Sequence, residues 1–175
     1  MNNYNIIYEH AADNYGLITS NEAKILGISN VELVKLAHRE RIQRVGHGVY
    51  RIAHYVPTVN DKYAEAVALV GIGAIIFRES VLAMHNLALV NPTTINVAIP
   101  RRVRKKLPKY ISLSHIEKPI NEIMYEGIPS QSVFDAIVSC KNIIMTDRLI
   151  ESAAEARKQG LISTKEAKLL KVILQ

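Results

Sequence analysis

The chain of 175 residues contains one cysteine, no tryptophan and only two phenylalanines. A single thiol, Cys140, excludes an internal disulfide and any metal cage built from cysteines. No apolar run is long enough for a helix to cross a bilayer, and no basic head, apolar middle and small-residue cleavage site opens the chain. The expected setting is the reducing cytoplasm, with no membrane attachment. Catalytic signatures are missing too. Gly71-Ile72-Gly73 is a lone G-x-G without its third glycine, and it follows a helical pattern rather than a strand. There is no Walker loop and no carboxylate cluster of the kind a two-metal nuclease needs. Glu79, Ser80 and His85 lie close in sequence, but one helix cannot aim all three at a common point. His38, His47 and His54 match no zinc spacing. The sequence therefore predicts no enzyme, no cofactor and no metal.

What is present is an ordinary globular composition, 49% hydrophobic and 22% charged, with room for one domain or two small ones. The charge is unevenly placed. Residues 100–110 hold six basic residues and no acid, which equals the whole net charge of +6. A second cluster, Lys35, Arg39, Arg41, Arg44 and Arg51, faces only Glu40 between positions 35 and 51. Two cationic patches point to a polyanion, nucleic acid first; the plainer reading is a surface kept soluble by charge.

The first fifty residues read as three short helices and a hairpin. Ile6, Ile7, His10 and Ala11 have helical spacing, and Gly16-Leu17 is a stop signal. Thr19-Ser20-Asn21-Glu22 and Ser29-Asn30-Val31-Glu32 fit capping boxes, the second opening a helix to about Arg41, with Gly27-Ile28 as the stop between them. Alternation from Ile42 to Ile52 around Gly46-His47-Gly48 predicts a hairpin. Helix, helix, helix, hairpin is the order of a winged helix over residues 1–56, and 56–60 is the candidate linker. Residues 61–175 read as a mixed α/β domain: helices near 63–70 and 78–87, strands over 93–99, 111–116 and 124–128, then helices near 131–140, 147–159 and 164–173. The expected fold class is α+β, a winged helix-turn-helix followed by a mixed domain.

On the second capped helix Leu33, Leu36 and Ala37 form a core side, leaving Val31, Lys35, His38 and Arg39 on another arc. In a helix-turn-helix such an arc faces base edges: Arg39 can pair with guanine, Val31 can touch a thymine methyl, and Lys35 suits base or phosphate. Arg41, Arg44, His47 and Arg51, on or beside the hairpin, suit the phosphate backbone. The competing reading is the solvated face of a small helical domain. Arg101, Arg102, Arg104, Lys105, Lys106 and Lys109 form the secondary basic patch, either a nucleic-acid contact or an exposed solubilising loop. Only Tyr110 offers a stacking ring there, which argues against single-strand recognition.

The order of motifs resembles the AbiEi-type antitoxins of bacterial type IV toxin–antitoxin (abortive infection) systems. The resemblance starts at Tyr15-Gly16-Leu17-Ile18-Thr19 and reaches Gly46-His47-Gly48-Val49-Tyr50-Arg51, similar to the family's wing ending in G-V-Y-R. Residues 77–87 look like its S-x-E-S-A-L-x-L-H-G-L helix, residues 95–101 like its V-x-V-P-R segment, and Gly127-Ile128-Pro129 like its G-I-P turn. Two departures stand out: Asn86 replaces a usual glycine, and residues 130–136 lack the arginine common after G-I-P. The resemblance implies a winged helix that binds operator DNA and represses its own operon. It also implies a second domain that counteracts a nucleotidyltransferase-like toxin without a stable complex. A lone regulator, or an adaptor for nucleic acid or protein, is the alternative.

Overall fold

The computed structural model describes residues 2–87, 90–118 and 120–175. The fold is mixed α+β, in two compact units: Met1–Ile72 with Val103–Leu107, and Gly73–Arg102 with Pro108–Gln175.

The first unit runs α1 (Asn3–Ala12), β1 (Leu17–Thr19), α2 (Ser20–Ile25), α3 (Asn30–His38), β2 (Ile42–Gly46), β3 (Val49–Ile52) and α4 (Asp61–Val70). Local chemistry sets the helix ends. Thr19 and Glu22 form the full capping box: Thr19 Oγ1 accepts from the Glu22 amide at 3.2 Å, and Glu22 Oε2 accepts from the Thr19 amide at 2.7 Å. Ser29 supplies its half of the second box, accepting from the Glu32 amide at 3.2 Å. Gly27, at φ +78°, closes α2 as the sequence predicts, with the Ile28 amide donating to the Ala23 carbonyl.

Two local features differ from expectation. α3 stops at His38, three residues before Arg41, because Glu40 takes the left-handed position at φ 57° and the Arg41 amide donates to the Leu36 carbonyl. This is a glycine-type stop made without glycine. Leu17–Thr19, expected only as a helix stop and the cap of the next helix, forms a strand antiparallel to β3, giving the sheet order β1-β3-β2. Ile7 and Ala11 of α1, Leu33 and Leu36 of α3, and Ile18, Tyr50 and Ile52 of the sheet share one core.

Residues 56–60 are tied down rather than free. Asp61 Oδ1 accepts from the Thr58 amide and hydroxyl, both at 2.6 Å, and from the Tyr55 hydroxyl at 3.3 Å. The helix they lead into, α4, belongs with the first unit, although its sequence was read as opening the second domain.

The second unit holds β4 (Ile75–Ile76), α5 (Glu79–Met84), β5 (Ile95–Ile99), β6 (Ile111–His115), β7 (Glu122–Tyr125), β8 (Ile128–Gln131), α6 (Val133–Ser139), α7 (Thr146–Lys158) and α8 (Thr164–Leu174). The sheet order is β6-β5-β4-β8-β7, with β5–β6 and β4–β8 parallel and the other pairs antiparallel. The single strand expected over 124–128 is instead a hairpin. Glu126 and Gly127, at φ 48° and 81°, make its two-residue turn, whose positive φ pair suits the right-handed twist of the flanking strands. Asn86, standing where the resembled family has glycine, adopts φ 56° at the end of α5, a conformation asparagine tolerates better than most side chains. The helices α6, α7 and α8 pack on one another, with Ile137, Leu149, Ala156 and Leu170 fully buried.

Candidate nucleic-acid interface

The exposed side of α3 carries the residues the sequence singled out. Val31 is 64% exposed, and Lys35, His38 and Arg39 are exposed beside it, while Leu33 and Leu36 are buried. The sequence reading missed Val34, which is 59% exposed and belongs to the same arc. Its position three residues after Val31 was the available signal. From Asn30 through Val34, His38, Val31 and Lys35 to Arg39 this arc holds no carboxylate. Beyond the helix, Arg41 is exposed with its guanidinium 5.5 Å from the centre of the Tyr4 ring. Arg44 is exposed on β2, its Nε donating to the Gly46 carbonyl at 3.3 Å, and His47 is exposed in the two-residue turn between β2 and β3.

Arg51 is different from these. Its guanidinium turns to Glu65 at 3.1 Å and to Asp61 at 3.6 Å, and the residue is only partly exposed. Asp61, Glu65 and Leu69 repeat every four residues along one stripe of α4. The first two hold Arg51, and Leu69 lies so close to Gly46 that any side chain there would meet it. The sequence assigned Arg51 to phosphate. Its charge is instead matched by two acids, so it ties β3 to α4.

Of the secondary patch, Arg101, Arg102, Arg104, Lys106 and Lys109 are exposed and Lys105 is partly buried. Val103–Leu107 group with the first unit, whereas Arg101, Arg102 and Lys109 lie in the second.

Glu79, Ser80 and His85 go separate ways. Ser80 Oγ accepts from the Asn96 amide at 2.8 Å. Glu79 lines a cavity of about 350 Å³ with Thr93, Thr94 and Arg148. His85 is buried with its ring centre 4.1 Å from that of Tyr125. Cys140 is fully buried, and burial, reinforced by the Glu79 carboxylate, pushes its thiol up to about 12, the state of an inert core thiol. Among the described residues no group of three or more His, Cys, Asp or Glu side chains can hold a metal ion, and no helix is long and apolar enough to cross a membrane.

Burial lowers His85 to about 4, against a smaller opposing pull from Glu126. Below pH 6.5 the unfolded chain takes up this proton and the folded chain does not, so stability falls as the pH drops from 6.5 towards 4. The full loss is about 3 kcal/mol. Urea unfolding at pH 7 and pH 4.5 checks it: His85→Phe should lose the part of the pH dependence that the native chain shows, and equal pH dependence in both would refute the assignment.

Among solved structures, that of the RV2827C protein from Mycobacterium tuberculosis is similar in fold. It aligns with a TM-score of 0.50 at 12% identity, over 94% of this chain and 69% of that one. No curated protein matches the chain. Residues 5–53, which run from within α1 through β3, match the model of the family described as transcriptional regulator, AbiEi antitoxin.

Proposed function

We propose that the first unit is a winged helix that binds duplex DNA, and that the chain is an autorepressor and antitoxin of an AbiE-like system, countering a nucleotidyltransferase-like toxin. The observation that carries the DNA reading is the acid-free, cationic and apolar exposed arc of α3, on a segment matched by a regulator family. In this reading Val31, Val34, Lys35, His38 and Arg39 face base edges in the major groove, and Arg41, Arg44 and His47 hold phosphates on either side. Arg51 is left out, because its charge is already paired within the unit. Arg104 and Lys106, on the basic segment grouped with this unit, add sequence-independent attraction. The second unit takes the antitoxin role, and the whole acts in the cytoplasm.

Fluorescence anisotropy tests the reading, using the DNA just upstream of the gene beside a scrambled duplex across a salt series. A preference of about a thousandfold for the upstream duplex is expected. Equal, steeply salt-dependent binding to both would leave a generic polycation and end the repressor assignment.

A further inference from the structure

We infer that Val31 and Val34 form a paired reader of C5-methyl groups, so that the recognised DNA carries two thymines whose methyls lie against α3. The inference rests on the DNA-binding reading above and gives it a base preference. Its starting point is an anomaly of burial. α3 has one apolar stripe packed in the core, Leu33 and Leu36, and a second apolar pair left 64% and 59% exposed on the opposite side. Spaced three residues apart, Val31 and Val34 are neighbours on the helix surface, their Cβ atoms about 5–6 Å apart.

Their surroundings select the partner. Lys35, His38 and Arg39 share the arc with them and no carboxylate falls within it, the partly exposed Glu32 lying just beyond Arg39, so the apolar pair is flanked by cations and the neutral Asn30. A polyanion that also presents small apolar groups fits that combination. In the major groove the only such group is the thymine C5-methyl. The choice of valine fits as well. A β-branched side chain in a helix holds essentially one χ1 rotamer, so its methyls are already ordered before contact. An exposed leucine or lysine would have to surrender rotamer freedom on binding. Successive base pairs rise 3.4 Å along each strand, so the two valines reach methyls one or two steps apart.

Replacing thymine by deoxyuridine deletes that methyl and nothing else, which makes the test direct. With the full chain and the upstream duplex, each thymine is replaced singly and the dissociation constants are compared for the native chain, Val31→Ala and Val34→Ala. Two thymine positions against α3 should each weaken binding about fourfold on loss of the methyl, the effect of one buried methyl-sized group. At one of them Val31→Ala should bind thymine and uracil duplexes equally, and at the other Val34→Ala should. Specific binding with no uracil-sensitive position, or with a sensitivity that neither variant removes, overturns the inference while the DNA reading stands. Absence of any preference among unmodified duplexes overturns both. A change of sedimentation coefficient in the alanine variants without DNA, at unchanged uracil discrimination, would make the valine pair a self-contact and equally overturn it.

Discussion

Replacing Lys35 and Arg39 together by alanine is expected to weaken binding to the specific duplex by about a hundred- to a thousandfold. Each good side-chain pair to a base edge contributes about 1–3 kcal/mol of discrimination, and the two positions belong to one exposed arc. The fold should not change. Both side chains are exposed, and the helix is held from its other side by Leu33 and Leu36 and at its start by the Ser29 cap. Circular dichroism and the thermal midpoint should therefore match those of the native chain while anisotropy loses the preference for the upstream DNA. Retention of that preference would remove α3 from the base-reading role. Arg51 makes a poor companion for this experiment, because truncating it removes the ion pairs with Asp61 and Glu65 that tie β3 to α4 and so disturbs the unit itself.

Gly16→Ala is expected to destabilise the first unit by about 2–5 kcal/mol, from two additive causes. Gly16 sits at φ +68°, where a Cβ costs about 1–2 kcal/mol. A Cβ built there would also stand 2.5 Å from Tyr55 Cγ and 3.0 Å from Tyr55 Cβ, overlap that costs about 1–3 kcal/mol to relieve. The ring cannot simply swing aside. Its hydroxyl donates to Asp61, and the Arg51 guanidinium lies 5.7 Å from its centre. The backbone is equally committed, since the Gly16 carbonyl accepts from the Ile52 amide at 2.9 Å. Chemical denaturation followed by circular dichroism measures the loss. A change below about 1 kcal/mol would mean that the Gly16–Tyr55 contact yields without cost. By contrast Gly27 also has positive φ, but nothing lies within 4 Å of a Cβ there, so only the backbone part of the effect is present.

The contrast between these glycines marks what the sequence could reveal. Capping boxes and glycine stops are local, and Thr19 with Glu22 and Gly27 with Ile28 are legible because the bonds they make lie within a few residues. Glu40 closing α3 could not be read, because nothing in its chemistry favours the left-handed region. The three residues of β1 are too few to show a period, and they become a strand only through pairing with β3, more than thirty residues later. Exposure on α3 follows from helical geometry, and Val34, though not singled out with Val31, has the same exposure because it sits three residues further on the same side. The pairing of Arg51 was invisible for another reason. A basic residue on a hairpin looks the same whether it faces solvent or a helix, and only the return of α4 with Asp61 and Glu65 at four-residue spacing decides it. The Glu126-Gly127 turn was within reach, because a permissive dipeptide between two short apolar runs is a hairpin signal.

The five-stranded sheet is joined at its centre by very little. β4 is two residues long: Ile75 pairs with Ala98 of β5, and Ile76 pairs with Val97 on that side and with Ser130 of β8 on the other. On either flank lies a two-stranded ribbon, β5–β6 and β7–β8, the latter closed by its two-residue turn. The β7–β8 pairing is local, whereas Ile76 meets Ser130 across more than fifty intervening residues, a contact of far higher sequence separation. The two central isoleucines are thus the keystone of the sheet: among the described residues they alone carry the backbone pairing from one ribbon to the other.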